Sequence, residues 1–177
     1  MTKLLWMDFL IQLIATLIGV GLGFWLPIIW SKREEKRKTK EIKQNMIDSI
    51  KDELQDIQKG LNNPDSDFSK VKWNDKTRGF EGNYSTISVS TIDASLHSGT
   101  FMLLPLDLQA SVDSVHSRIE YYNFFIKKAL TFYDTPIYAT GKGENEANYL
   151  INTMRGQIVL LKKEIDLSLE QLNKSIE

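Results

Sequence analysis

Phe9 to Trp30 is a run of 22 positions without a charged side chain, and only Gln12 and Thr16 in it are distinctly polar. A hydrocarbon core of about 30 Å takes roughly 20 apolar residues in helix. The pattern therefore predicts a transmembrane anchor over residues 1–30. Trp6 and Trp30 flank the run, and at a rise of ~1.5 Å per residue they stand roughly 36 Å apart. That matches the separation of two membrane interfaces, where indole rings settle, so both read as interface anchors. A cleaved signal sequence has a shorter apolar core that ends in small residues. This run ends Ile28-Ile29-Trp30-Ser31, so the expectation is a retained anchor. A helix buried in a soluble core is the other reading of such a run, and it leaves the flanking tryptophans and charges unexplained.

After the run the pattern changes to stripes. Ile47, Ile50, Leu54, Ile57 and Leu61 recur at 3-4-3-4 spacing, a narrow seam of the kind that pairs with another helix. The other faces are charged, with Asp48/Lys51 and Glu35/Lys38 at supporting spacings. Residues 31–61 are thus expected to form a juxtamembrane helix, stopped by Gly60 and Asn62-Asn63-Pro64. Residues 62–85 are polar and without sustained period. They read as a long loop with a candidate short hairpin around Asn74-Asp75, and Phe68, Trp73, Phe80 and Tyr84 make it a candidate partner-binding loop.

Residues 86–98 predict a short helix, with Ser90-x-x-Asp93 resembling a capping box. Pro105 and Asp107 suit the start of the next helix. Its stripe Leu108, Val112, Val115, Ile119, Tyr122, Ile126, Ala129 and Tyr133 is the strongest periodic signal after the apolar run. A final helix from about Glu144 carries Leu150, Met154, Ile158, Leu161, Ile165, Leu169, Leu172 and Ile176. The predicted class is all-α: one amino-terminal transmembrane helix continuing into an antiparallel cytoplasmic helical bundle, with residues 86–177 supplying the bundle's remaining helices.

Charge sets the expected orientation. Residues 32–43 hold seven Lys or Arg against three Glu, whereas only Lys3 and Asp8 precede the run. Basic residues beside a span stay in the cytoplasm, which puts the amino terminus outside and the bulk of the chain inside. Lys32, Arg33, Lys36, Arg37, Lys38 and Lys40 are also placed to touch anionic headgroups. Nucleic acid is not an expected partner, because the chain is at −1 overall and the basic cluster is interleaved with Glu rather than aromatics. Ala15, Gly19 and Gly23 recur every four residues on one helix face, a pattern that lets two backbones approach in lipid and predicts a homo-oligomer.

Candidate chemistry is thin. There is no cysteine, hence no disulfide and no thiolate site, as suits a reducing cytoplasm. Gly141-Lys142-Gly143 lacks P-loop spacing, and no serine sits in a nucleophile elbow. Asp93, Asp107, Asp113, His116 and Glu120 are the acidic and imidazole groups that a helix corner would gather. His116/Glu120 and Asp113/His116 are also at ordinary surface-pair spacings. No enzyme activity, catalytic residue, metal or cofactor is expected.

The stretch Ser95-Leu96-His97-Ser98-Gly99-Thr100-Phe101-Met102-Leu103-Leu104-Pro105, continued by Leu108, Val112, His116, Ile119 and Asn123, resembles a block in uncharacterised prokaryotic proteins with one amino-terminal span and a helical cytoplasmic domain. The resemblance covers about residues 86–125 and implies the layout alone. Physically the block reads as a corner: Gly99 caps one helix, the apolar turn plugs the bundle end and Pro105 restarts the chain. The leading expectation is a membrane-anchored scaffold or regulator that acts by self-association or by binding a protein partner. The alternative is a membrane-disrupting effector whose spans cluster into a pore, and an anchored enzyme ranks last.

Overall fold

The computed structural model describes residues 2–63, 70–74, 79–82, 84–131 and 143–175. They form α1 (Thr2–Asn62), β1 (Lys72–Asn74), β2 (Gly79–Glu81), α2 (Ser90–Ser98), a 3-10 turn (Thr100–Leu103), α3 (Leu106–Leu130) and α4 (Gly143–Lys174). The class is all-α, with one two-stranded antiparallel hairpin beside the helices. The chain divides into two compact units, Met1–Ile42 and Lys43–Glu177.

In the first unit α1 carries the stretch that is long and apolar enough to cross a membrane. An 18-residue window reaches a mean hydropathy of 2.1, and none of it is buried. Pro27 lies inside the helix. The Thr16 hydroxyl donates to the Gln12 carbonyl at 2.7 Å, so one of the two polar side chains of the run is satisfied by its own helix.

The second unit has two cores. In the first, Met46, Ile47, Ile50 and Leu54 of α1 pack with Ile92 of α2, Phe101, Leu104, then Leu108, Val112, Val115 and Ile119 of α3, and Leu161, Ile165, Leu169 and Leu172 of α4. The 3-4 seam explains this: Ile47, Ile50 and Leu54 are almost wholly buried, while Asp48 and Asp52 between them face water. In the second core the hairpin takes the place of α1. Val71, with Trp73 and Phe80 against it, closes over Tyr122, Phe125, Ile126 and Ala129 of α3 and Ala147, Leu150, Ile151 and Met154 of α4.

α3 and α4 run antiparallel, as their cross-helix partners show. Ser111 meets Ser168, Ser114 meets Glu164, Arg118 meets Gln157 and Lys128 meets Glu146. As the number rises on one helix it falls on the other. This polar ladder runs beside the apolar stripes and holds their register. Even the buried hydroxyl of Ser168 is satisfied, donating to the Ser111 carbonyl at 3.3 Å.

Several expected boundaries move. α1 ends at Asn62, one residue past the expected 61, with Gly60 inside its last turn. α2 begins at Ser90 rather than at 86, and residues 84–89 are not helical. The reason is Asn123 on α3: its Oδ1 accepts the Ile87 N–H at 2.8 Å and its Nδ2 donates to the Ile87 carbonyl at 2.7 Å. Both backbone groups of Ile87 are thereby taken from any helix. α3 ends at Leu130, and Phe132, Tyr133, Gly141 and Lys142 lie outside the described residues. Pro105 stands one position before α3, with φ −56° and ψ 146°, and its carbonyl accepts the Gln109 N–H at 2.9 Å.

Two glycines are required by geometry. Gly99 ends α2 at φ 73° and donates its N–H to the Leu96 carbonyl at 3.3 Å, the left-handed cap expected of the corner. Gly82 ends the hairpin at φ 122°, and a Cβ there would stand 3.0 Å from the Cα of Val71. A side chain at that position would push the hairpin off the second core.

Candidate functional site

The residues singled out by the sequence fall into four places. Ala15, Gly19 and Gly23 lie on one face of the apolar part of α1, and a Cβ added at Gly19 or Gly23 meets nothing within 4 Å. The face is flat and open within this chain. Trp6 and Trp30 are 67% and 78% exposed, and Trp6 stacks edge-on with Phe9 at 6.2 Å.

The basic cluster after Trp30 is not uniform. Arg37 donates twice to Glu34, from Nε at 3.1 Å and from Nη2 at 2.8 Å, and Lys38 Nζ is 3.8 Å from the same carboxylate. The bidentate bond from Arg37 holds the Glu34 carboxyl below its usual range and raises the Arg37 guanidinium further. Lys38 thus pairs with Glu34 and not with Glu35, while Asp48 accepts from Gln44 rather than engaging Lys51. Lys32, Arg33, Lys36 and Lys40 make no ion pair among the described residues.

The aromatic residues of 62–85 are placed by the hairpin. Trp73 is directly opposite Phe80 in the register, their rings edge-to-face at 5.4 Å, and Phe80 meets Tyr84 at 6.1 Å. All three pack, partly buried, against the second core. Arg155 of α4 ties the hairpin down by donating from Nη2 to the Val71 carbonyl at 2.8 Å. Phe68 lies outside the described residues. The large apolar side chains most open to solvent in the second unit lie elsewhere: Leu106 and Met102 at the corner, and Val159 and Tyr149 on α4.

The titratable groups around α2 act as pins. Asp93 accepts from His116 Nε2 at 2.7 Å, joining α2 to α3, and the Asp93 carbonyl accepts from His97 Nδ1 at 2.7 Å. Asp93 is therefore not the second half of a capping box. The residue before α2 is Val89, with no side-chain cap of its own, and the cap comes from across the bundle. Glu53 of α1 accepts the N–H groups of Thr91 at 2.9 Å and Ile92 at 3.0 Å, and the Ser90 hydroxyl at 3.2 Å. An anion at a helix amino terminus is favoured by the unpaired N–H groups and by the dipole. A shallow acidic groove of about 560 Å³ opens beside it, lined by Asp52, Glu53 and Asp56 on one side and Ile87, Ser88 and Ser90 on the other.

Of the five groups that a corner was expected to gather, the structure brings together Asp93 and His116. Asp107, Asp113 and Glu120 do not join them, and no three His, Asp or Glu side chains converge on one point among the described residues. Sequence reasoning missed Glu53 and Arg155, whose partners lie far along the chain and leave no local spacing to read. Arg118 was missed as well. It bonds Glu164 at 2.6 Å, which raises its guanidinium further. Burial pushes the Tyr122 phenol up to about 12, and its hydroxyl donates to the Ser85 carbonyl at 3.3 Å.

Comparison of the chain with protein-family models, with curated proteins and with solved structures finds no match.

Proposed function

We propose that this is a single-pass membrane-anchored helical protein, amino terminus outside and second unit in the cytoplasm, that acts by self-association or by binding a protein partner. The observation that carries the reading is a contrast in burial. The apolar stripes of α3, α4 and the distal half of α1 are covered, whereas residues 9–30 are apolar on every face and covered on none. Water is a poor solvent for such a surface, and lipid is a good one. The small-residue face of Ala15, Gly19 and Gly23 supports association of two spans. Support for the sidedness comes from the basic residues after Trp30.

The absence of native cysteine makes the test clean. The full chain should pellet with membranes after detergent-free lysis and resist an alkaline carbonate wash. Single Ala15→Cys, Gly19→Cys and Gly23→Cys variants should form disulfide dimers in membranes on mild oxidation, while Leu17→Cys, on another face, should not. A chain recovered in the soluble fraction ends the anchoring reading. Equal crosslinking at all four positions, or none at any, ends the association reading.

A further inference from the structure

The ion pairing of the juxtamembrane helix divides its basic residues into two groups, and the division follows the helix faces. At about 100° per residue, Lys32, Lys36, Lys40 and Arg33 fall in that order within an arc of about 100°. No carboxylate stands in that arc. Glu34 and Glu41 project from the far side with Arg37 and Lys38, and Glu35 lies outside the arc too. The same arc continues upward into the apolar run through Ile29, Trp25, Leu22 and Ile18. One face of α1 is therefore aliphatic and indole for several turns, then purely cationic for about two more. Arg37 and Lys38, by contrast, share the Glu34 carboxylate.

We infer that Lys32, Arg33, Lys36 and Lys40 form a one-sided seat for anionic lipid headgroups, and that Arg37 and Lys38 are not part of it. The inference rests on the transmembrane reading of residues 9–30. Charge complementarity commits the seat to lipid phosphate. A lipid whose acyl chains lie along Ile18, Leu22, Trp25 and Ile29 presents its phosphate at the level of Lys32 and Arg33. Long Lys and Arg stems reach along the helix to such a phosphate. Lys36 and Lys40 extend the positive field beyond the first headgroup. Each basic side chain close to an anionic surface contributes at most about a fivefold preference, and salt screens it.

Trp25 stands on the seat's face and serves as the reporter. The full-length Trp6→Phe/Trp30→Phe/Trp73→Phe chain, which keeps Trp25 as its one indole, is reconstituted in phosphatidylcholine vesicles containing phosphatidylglycerol, with brominated acyl chains on one lipid or the other. At equal mole fraction, brominated phosphatidylglycerol should quench the indole fluorescence more than brominated phosphatidylcholine does. That excess should vanish in high salt. It should also vanish in the Lys32→Gln/Arg33→Gln/Lys36→Gln/Lys40→Gln variant, while Arg37→Gln/Lys38→Gln keeps most of it. Equal quenching by both lipids overturns the seat while leaving the span intact. An Arg37/Lys38 variant that loses as much as the quadruple variant overturns it as well. So does binding of a short DNA duplex by vesicles of phosphatidylcholine alone that depends on the same four residues. Absence of quenching by either brominated lipid is a different outcome, and it removes the transmembrane reading itself.

Discussion

Two stretches of one helix, residues 9–30 and residues 46–61 of α1, use apolar side chains in opposite ways. In the first they surround the helix, and no side chain of the most apolar window is buried. In the second they form a single seam, and Ile47, Ile50 and Leu54 are almost wholly buried against α2, α3 and α4. Helix propensity does not separate the two, since both are helical. What separates them is the width of the apolar face. A seam flanked by Lys, Asp and Glu can be satisfied by a few neighbouring side chains of the same chain. A helix that is apolar all round has no polar face to offer water, so its partner must surround it.

The largest test of this contrast is a pair of truncations. Leu54→Ala should lower the stability of the second unit by about 2–5 kcal/mol, read by thermal or urea unfolding. Leu17→Ala should leave that transition where it was. A matching loss from Leu17→Ala would mean that residues 9–30 are covered by the bundle, and the contrast would fall. Titration of the buried half comes next. The Tyr122 phenol is raised from an ordinary value near 10 to about 12 by burial. Its stabilising effect is complete below pH 10 and is lost as the pH climbs toward 12, amounting to at most about 2.7 kcal/mol. Tyr122→Phe should flatten the fall of stability over that window, and an unchanged alkaline slope would mean that other groups govern it.

Two smaller effects sharpen the comparison further. Glu53→Ala removes the carboxylate that caps α2 and should cost about 1–2 kcal/mol, with amide exchange speeding first at Thr91 and Ile92. Uniform acceleration across the unit would show that the cap is not local. Arg37→Gln breaks an exposed, solvent-screened pair and should barely move the unfolding transition. A larger shift would show that the charges of residues 32–41 are coupled to the fold.

Most of the helices were readable from spacing, because a helix that packs on one side records its partner as a stripe. Among the described residues, the stripe of α3 through Ala129, that of α4 through Leu172 and the seam of α1 are buried or partly buried as their periods imply. The left-handed Gly99 was readable for a similar reason: the sequence-local geometry of a helix end demands it. The start of α2 was not, since Asn123 lies on another helix and withdraws both backbone groups of Ile87 from helix formation. Ser90 and Asp93 have the spacing of a capping box, yet Asp93 is engaged by His116 and the cap is supplied by Glu53. Those choices compare hydrogen bonds between groups far apart in the chain, which no local window contains.

By itself the amino-acid order determined the helical class, the uncharged run of 22 positions, the basic segment after it and the burial of each stripe. It could do so because hydrophobic period and charge are properties of neighbouring residues. Only the tertiary structure decided that the hairpin, held by Arg155 and backed by Gly82, takes over from α1 as the cover of the second core. Only the tertiary structure, too, assigned Asp93 to His116 and Glu53 to the amino terminus of α2. A polar side chain chooses its partner by distance and direction in space, and those exist only once the elements have packed.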